Sequence, residues 1–502
     1  MQYLIGLDLG TTATKAVLFK TDGVIVSTSS KPYKLYRDAT GMAEEEFEDI
    51  FDAVLASVRE VCINIEEGDE LLAVSFSAQM HSWIAYDENW EALTRVITWA
   101  DTRAVHYTEA LKASNKAYDI YRKTGTPTHP MAPLSKSLWL KNEKPYIFNR
   151  AAHYLDLKGA IFHRLFGVKK MDLSIATGTG LFNIKEKIWD PETLEVTGLL
   201  TEQLPEVVSP YEIERGMQEE FAFKMGIPAD TPFVWGAGDG PLSNLGVAAI
   251  RPGVAAITIG TSGAIRVVTD KPETDVKAKT FTYALDEDHW VVGGPVNSGG
   301  DVFRWLRDQV FDGELTFDEI TALAKEVGPG AAGLLFHPYL GGERAPLWDA
   351  NARGSFFGLN YGHTRSHMAR SLLEGVMFNL YMVALSLREV AGDVKQIQAT
   401  GGFTSSKLWT QILSDIFEQP ITVPDSTEAG CLAATVMAQK ALGLIDSLEA
   451  VEGMVGSNQT FMPNEESYET YRALMPIYLR LSSHFSEEYA DIAALQRKLS
   501  NQ

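Results

Sequence analysis

The sequence predicts an α/β protein made of two related halves with a cleft between them. Three observations carry this. The run Ile5-Gly6-Leu7-Asp8-Leu9-Gly10-Thr11-Thr12, apolar strand then glycine then hydroxyls, recurs as Ala255-Ala256-Ile257-Thr258-Ile259-Gly260-Thr261-Ser262. Between and after the two copies, segments of helical and of extended periodicity alternate. The length of 502 residues exceeds what a single hydrophobic core ordinarily supports, whereas halves of roughly 250 residues lie within that range.

The elements follow in chain order. Each copy of the repeat is succeeded by a second strand-like run, 16–19 and 265–268, so each half opens with a glycine-turned hairpin carrying one cation, Lys15 or Arg266. Phe47, Ile50, Phe51, Val54, Leu55 and Val58 share one helical face, and 71–76 then reads as a buried strand. Residues 233–238 form a strand that runs through small residues into Asp239 and a helix beginning near Pro241. After the second hairpin, Val302, Trp305, Leu306 and Val310 mark a short helix, and Leu372, Leu373, Val376, Met377, Leu380 and Val383 a longer one. A strand ending at Gly401-Gly402, a helix through Trp409 and Ile416, a strand at 421–423, an Ala-rich helix at 429–438 and an amphipathic tail at 468–499 complete the chain. The natural division is 1–248 and 249–502.

Composition narrows the function. The 44 Lys and Arg against 66 Asp and Glu leave a formal charge of −22, which argues against nucleic acid or an acidic membrane surface as partner, since either calls for a basic footprint. Two cysteines, an N-terminus without a basic region and the lack of any stretch approaching eighteen apolar residues point to a reducing, cytosolic compartment. No P-loop, Gly-x-Gly-x-x-Gly fingerprint, His-Glu-x-x-His, Cys-x-x-Cys or Gly-x-Ser-x-Gly elbow occurs.

Other segments carry chemistry. A strand, glycine and hydroxyls at a hairpin turn suit a phosphate, because glycine admits close backbone approach and turn amides point outward. One copy reads best as an ordinary turn; two copies in corresponding places read as a clamp on a polyphosphate. Asp8, just before the first turn, is tolerable beside phosphate only if a cation such as Mg²⁺ intervenes. Asp239, flanked by Gly238 and Gly240, reads either as a helix cap or as a general base for a hydroxyl attacking phosphorus. The run 399–406 offers a glycine-rich approach surface for a nucleotide, although an ordinary strand-to-helix turn explains it nearly as well.

Taken together, these motifs resemble the FGGY family of carbohydrate kinases, within the actin-like ATPase superfamily, over nearly the whole chain. Residues 6–12 look like the family's first phosphate motif, 258–263 like its second, 401–403 like its adenosine motif, and Gly341-Gly342-Glu343-Arg344-Ala345-Pro346-Leu347-Trp348 like a family signature. The resemblance implies two actin-like (ribonuclease H-like) domains with a nucleotide and substrate cleft between them, and ATP and Mg²⁺ as cofactors. It implies nucleotide and phosphate contacts at Gly10, Thr11, Thr12, Lys15, Gly260, Thr261, Ser262, Gly300, Gly401, Gly402, Phe403 and Ser405, metal contacts at Asp8 and Asp239, and Asp239 as catalytic base. A homodimer is a family-level expectation.

Segments 77–82, 98–103 and 124–131 are similar to those of family members that phosphorylate gluconate, a small open-chain sugar acid. They imply Met80, His81, Trp99, Asp101, Arg103, His129 and Asp239 as acceptor contacts, with Lys136 a further polar candidate. Members acting on glycerol carry an Arg-Glu pair where this chain has Met80-His81, while members acting on xylulose share Met-His. A ketose such as D-xylulose therefore stays open as acceptor. An actin-like nucleotide switch without a small acceptor, or a silent homologue, stays open as a different class of function.

Overall fold

The computed structural model describes residues 1–425 and 428–500. Its centre is two sheets built to one plan. In the first, Gln2–Leu9, Ala13–Lys20 and Ile25–Pro32 run antiparallel in succession, and Glu70–Ala78 and Phe233–Gly238 join the other side of Gln2–Leu9 in parallel. In the second, Val254–Ile259, Gly263–Thr269 and Trp290–Val296 are the antiparallel set, and Gln396–Thr400 and Ile421–Pro424 the parallel one. The internal repeat thus extends beyond the hairpins to five strands of the same order and direction. Short edge strands, Ile213–Glu214 in the first sheet, Phe281–Ala284 and Ser457–Phe461 in the second, complete them.

The central strands are covered on both faces, as their near-continuous apolar runs require. Helix Phe47–Cys62 lays Ile50, Phe51, Val54, Leu55 and Val58 on one face of the first sheet, matching the spacing read from sequence. The opposite face is covered by Ala429–Ala441, a helix from the far half of the chain: Ala438 packs with Leu4, Ala73 and Val234, and Cys431 and Leu432 with Val17 and Phe19. This approach explains Gly6, where a Cβ would lie 2.0 Å from the Cys431 carbonyl oxygen. The proposed division at 248/249 falls in the link between helix Asp239–Leu245 and strand Val254–Ile259, and the helix Ala429–Ala441 crosses it to complete the first lobe.

The second sheet packs on Arg365–Ala391, the helix announced by Leu372 through Val383. Its 27 residues are long and apolar enough to cross a membrane, but 78% of its most apolar window is buried inside the second lobe. The tail is one helix, Glu465–Ser500, whose Tyr471, Met475 and Tyr478 join the same core. Both cysteines are free.

Candidate active site

The two hairpins bring their turns to the cleft. A cavity of about 300 Å³ opens there, walled on the first-lobe side by Thr11, Met80, His81, Trp99, Met131 and Asp239 and on the second-lobe side by Thr258, Ser262, Arg266, Tyr283 and Arg344. A second cavity of about 340 Å³ lies beyond the second hairpin, among Gly260, Thr261, Gly300, Phe303, Arg304, Phe317, Asp318, Thr321, Gly402, Phe403, Ser405 and Trp409. The turn 260–263 is the wall between them: Gly260 and Thr261 face one cavity, Ser262 and Gly263 the other.

Asp239 reaches the first cavity because its strand breaks register. Phe233–Gly238 pairs regularly with Glu70–Ala78 up to Val234, then shifts before Ala237, and Gly236 takes φ 62° where a Cβ would meet the Phe76 carbonyl oxygen at 2.0 Å. Such a bulge re-aims the residues that follow it. The helix begins at Asp239 itself, earlier than Pro241, with Gly238 at the N-cap. Asp239 is therefore not the cap its residue type suggested. Its Oδ1 accepts the Gly240 N–H at 2.7 Å. Asp239 is open to the cleft, and desolvation by the surrounding walls, then the nearby Asp8 charge, push its carboxyl up to about 6 against the opposing pull of Arg266.

Asp8, next to last in strand Gln2–Leu9, accepts the Ser77 hydroxyl at 2.6 Å and is raised by burial. Among the described residues no cluster of three or more His, Cys, Asp or Glu side chains could hold a metal. Two mutually repelling carboxylates suit Mg²⁺, which takes one or two carboxylates and completes its shell with water and phosphate oxygens.

His81 has a left-handed backbone, φ 67°. Its Nδ1 lies 2.7 Å from the Gly178 carbonyl, which can only accept, so Nδ1 carries the proton and Nε2 is an acceptor, 3.5 Å from the Tyr283 hydroxyl. Burial and the neighbouring Lys136 push the ring down to about 3, so it is neutral. Lys136 is itself buried and outside the cavity. Its ammonium bonds the carbonyls of His81 and Met131 and is pushed down to about 7 by burial. It anchors the strained His81 backbone.

The remaining residues expected at the site divide. Met80 and Trp99 line the first cavity, and the Trp99 indole N–H donates to the Thr11 hydroxyl at 2.9 Å. Asp101 and Arg103 are not brought there. The Asp101 carboxylate binds the Ala43 N–H at 3.0 Å and Arg103 at 2.7 Å, and Arg103 also pairs with Glu44 and lies 4.1 Å over the Trp139 ring. His129 stands behind Met131, whose N–H its Nδ1 accepts at 3.2 Å, with its ring edge toward Trp348. Burial and then Arg344 push it down to about 3. The Lys15 ammonium turns from the turn to Glu428, 2.8 Å away across the lobe boundary. Gly10 and Thr12 shape the first turn, where the Gly10 N–H meets the Ala13 carbonyl at 3.1 Å, but line neither cavity. Gly401, at φ 101°, lets the turn pass over Ile259, whose carbonyl oxygen would sit 2.2 Å from a Cβ.

Sequence reading passed over Arg344 and Tyr283 as site residues, and treated Arg266 only as a hairpin cation. A signal for Arg266 existed: a cation within the otherwise apolar strand Gly263–Thr269 is costly without a purpose. In the second cavity it missed Phe303, Arg304, Phe317, Asp318 and Thr321. A Cβ on Gly260 or Gly402 would meet nothing within 4 Å, so both glycines keep open space rather than relieve a clash, as a nucleotide cradle requires.

Two sheets of one topology, with glycine-turned hairpins pointing into the cleft between them, define the actin-like ATPase fold. Residues 3–246 match the N-terminal domain of the FGGY family of carbohydrate kinases, and 255–442 its C-terminal domain. The chain belongs to this family. It is 47% identical over 507 residues to a gluconokinase of Bacillus subtilis (strain 168), covering 99% of each chain. Its structure superposes with a TM-score of 0.95 and 41% identity on a gluconate kinase from Lactobacillus acidophilus, covering 98% of this chain and 99% of the other. A ligand-bound structure described as a xylulose kinase from the same organism matches equally, with a TM-score of 0.95, 41% identity and coverage of 98% and 100%.

Proposed function

We propose that this carbohydrate kinase transfers the γ-phosphoryl group of ATP to the 6-hydroxyl of D-gluconate, giving 6-phosphogluconate and ADP. The observation that carries the reading is the full-length 47% identity to a gluconokinase. The first cavity supports it: two arginines, Arg266 and Arg344, line it, and their hydrogen bonds go to the Ser243 hydroxyl, the Asn297 amide oxygen and the Val296 carbonyl rather than to a carboxylate. The Asp239 and Glu343 carboxylates offset part of their charge, and a sugar acid brings a further anion to the two cations where a neutral ketose brings none.

In this reading the nucleoside lies in the cavity around Gly402 and Phe403, and its phosphates reach the turn 260–263 from one side while the acceptor lies on the other. Asp239 orients the 6-hydroxyl and takes its proton as the oxygen bonds to phosphorus; the β–γ bridge breaks and ADP leaves. Mg²⁺, when bound near Asp8 and Asp239, supplies positive charge to the phosphate oxygens. Thr11, positioned by Trp99, and Thr261 and Ser262 add hydroxyl donors along the phosphates. Closure of the lobes keeps water from the phosphoryl group.

An acceptor panel with Mg-ATP, read as ADP release, tests this. D-gluconate as the preferred acceptor is expected. Preference for D-xylulose, or strong turnover with no acceptor, overturns it.

A further inference from the structure

Three groups that line the first cavity, His81, Asp239 and Tyr283, come from distant parts of the chain, and one buried turn of helix, Leu173–Thr177, reaches the backbone or ring of each. Its Ser174 hydroxyl accepts the N–H of Gly238, the residue before Asp239, at 3.1 Å. It ends at Gly178, whose carbonyl takes the His81 Nδ1 proton. Its Thr177 hydroxyl accepts the N–H of Ala284, the residue after Tyr283, at 3.0 Å.

The contact at Ala284 crosses between the lobes. Phe281–Ala284 is an edge strand of the second sheet, so N–H groups on its outer side have no neighbouring strand to pair with. The first lobe takes up two of them: the Thr282 N–H donates to the Gly125 carbonyl at 2.9 Å and the Ala284 N–H to Thr177. Tyr283 lies between these two anchors, so it moves relative to the first lobe only by breaking one of them.

From Thr177 the connection runs on toward Asp239. The single proton of the Thr177 hydroxyl goes to the Ser174 carbonyl at 2.8 Å, and Ser174 in turn holds Gly238. Both residues are wholly buried, so bulk water does not replace a lost partner. The helix is itself fixed: Asp172 caps it by accepting the Ile175 N–H at 3.1 Å and pairs at 2.8 Å with Lys158, neither side chain having any exposure. Met80 fills the space between the helix end and the strand that carries Asp239. A Cβ on Gly178 would lie 2.7 Å from Met80 Cε, and one on Gly238 2.9 Å from the Met80 sulfur.

We propose that Thr177 is a positioning residue for phosphoryl transfer: its hydroxyl, through Ser174, sets the distance between Asp239 in the first lobe and the Tyr283 wall contributed by the second. An acceptor lying against Tyr283 then presents its hydroxyl at a fixed place relative to the base. Neither Thr177 nor Ser174 lines the cavity, so both act through the groups they hold. This inference rests on the reading of Asp239 as base and gluconate as acceptor.

Single-turnover phosphoryl transfer from Mg-ATP to D-gluconate tests it in the wild type and in T177V, T177S, S174A, D239N and T177V/D239N. T177V keeps the shape of threonine but leaves the Ala284 N–H without an acceptor. Its rate should fall about 10- to 100-fold, the scale of a misplacement of about 1 Å, with the steady-state ATP KM unchanged. T177S keeps the hydroxyl and should stay within about threefold of wild type. If a thermal melt shows that T177V does not fold, S174A, which strips the acceptor from the Gly238 N–H, carries the test alone and with D239N, with the same expected loss. In D239N no base is left to place, so adding T177V should cost less than about threefold more. A T177V rate near wild type, a T177S loss as large as that of T177V, or a loss on adding T177V to D239N as large as in T177V alone overturns the inference and leaves Asp239 as base. Near-normal transfer in D239N, or no transfer to gluconate by the wild type, overturns the proposed function, and this inference with it.

Discussion

Glu45, wholly removed from solvent, accepts a hydrogen bond from the Gln79 amide at 2.8 Å. The Gln79 carbonyl oxygen in turn accepts from the Thr11 hydroxyl at 3.3 Å, to which the Trp99 indole also donates. A buried acid thus sits at the root of the contacts that place the first hairpin turn and one wall of the first cavity.

Burial pushes Glu45 from 4.5 up to about 8, so the folded protein holds a proton there that the unfolded chain releases. The folded state binds more protons between these values, and stability falls as pH rises through that window. Urea unfolding from pH 5 to 8.5 should show Glu45→Gln losing less stability than wild type, by up to roughly 1 kcal/mol per pH unit. Parallel curves would mean that Glu45 is ionised in the fold.

For Asp239→Asn the expectation is a fall in kcat of about 10²–10⁴ with the ATP KM unchanged. In the wild type the base must be ionised, so kcat/KM should decline as pH drops through about 6, the position set by desolvation in the cleft and by Asp8. Near-normal turnover in the variant would remove Asp239 as base.

Gly402→Val places a side chain into the open space of the second cavity, where a Cβ meets no protein atom within 4 Å. Stability should change by less than about 1 kcal/mol, while the ATP KM rises at least about tenfold and the gluconate KM holds. An unchanged ATP KM would move the nucleotide elsewhere.

Gly6→Ala is the opposite case. Its Cβ would come within 2.0 Å of the Cys431 carbonyl oxygen, and backbone cannot yield as a flexible side chain does. A cost of about 2 kcal/mol or more in urea unfolding is expected. A near-neutral result would show that the helix Ala429–Ala441 can shift away from the sheet.

The hairpins, the strand that delivers Asp239 to the cleft and the glycine turn at Gly401 were legible because each is a contiguous run whose conformation depends on its neighbours in the chain. Gly6 shows the limit of such reading: it lies within the phosphate motif, yet it serves the packing of a helix more than 400 residues later. Asp101 and Arg103 show it differently. As types they suit a polyol or an anion, but they lie two residues apart and satisfy each other, with Glu44 and the Ala43 amide taking what remains. Lys15 is likewise withdrawn by Glu428.

By itself the sequence determined the doubled α/β architecture, the two glycine-turned hairpins and the strand-to-helix turn at Asp239, because strand periodicity and turn chemistry are local properties. Only the tertiary structure decided which cations line the first cavity. A charge of −22 over the whole chain opposes the two anionic ligands of the proposed reaction, and the cleft offers them not a basic surface but arginines from strand Gly263–Thr269 and the loop at Arg344. Those arginines meet Asp239 and His81 only when the lobes are packed. A cation's availability depends on whether a carboxylate lies within about 4 Å in space, and spacing along the chain does not report that.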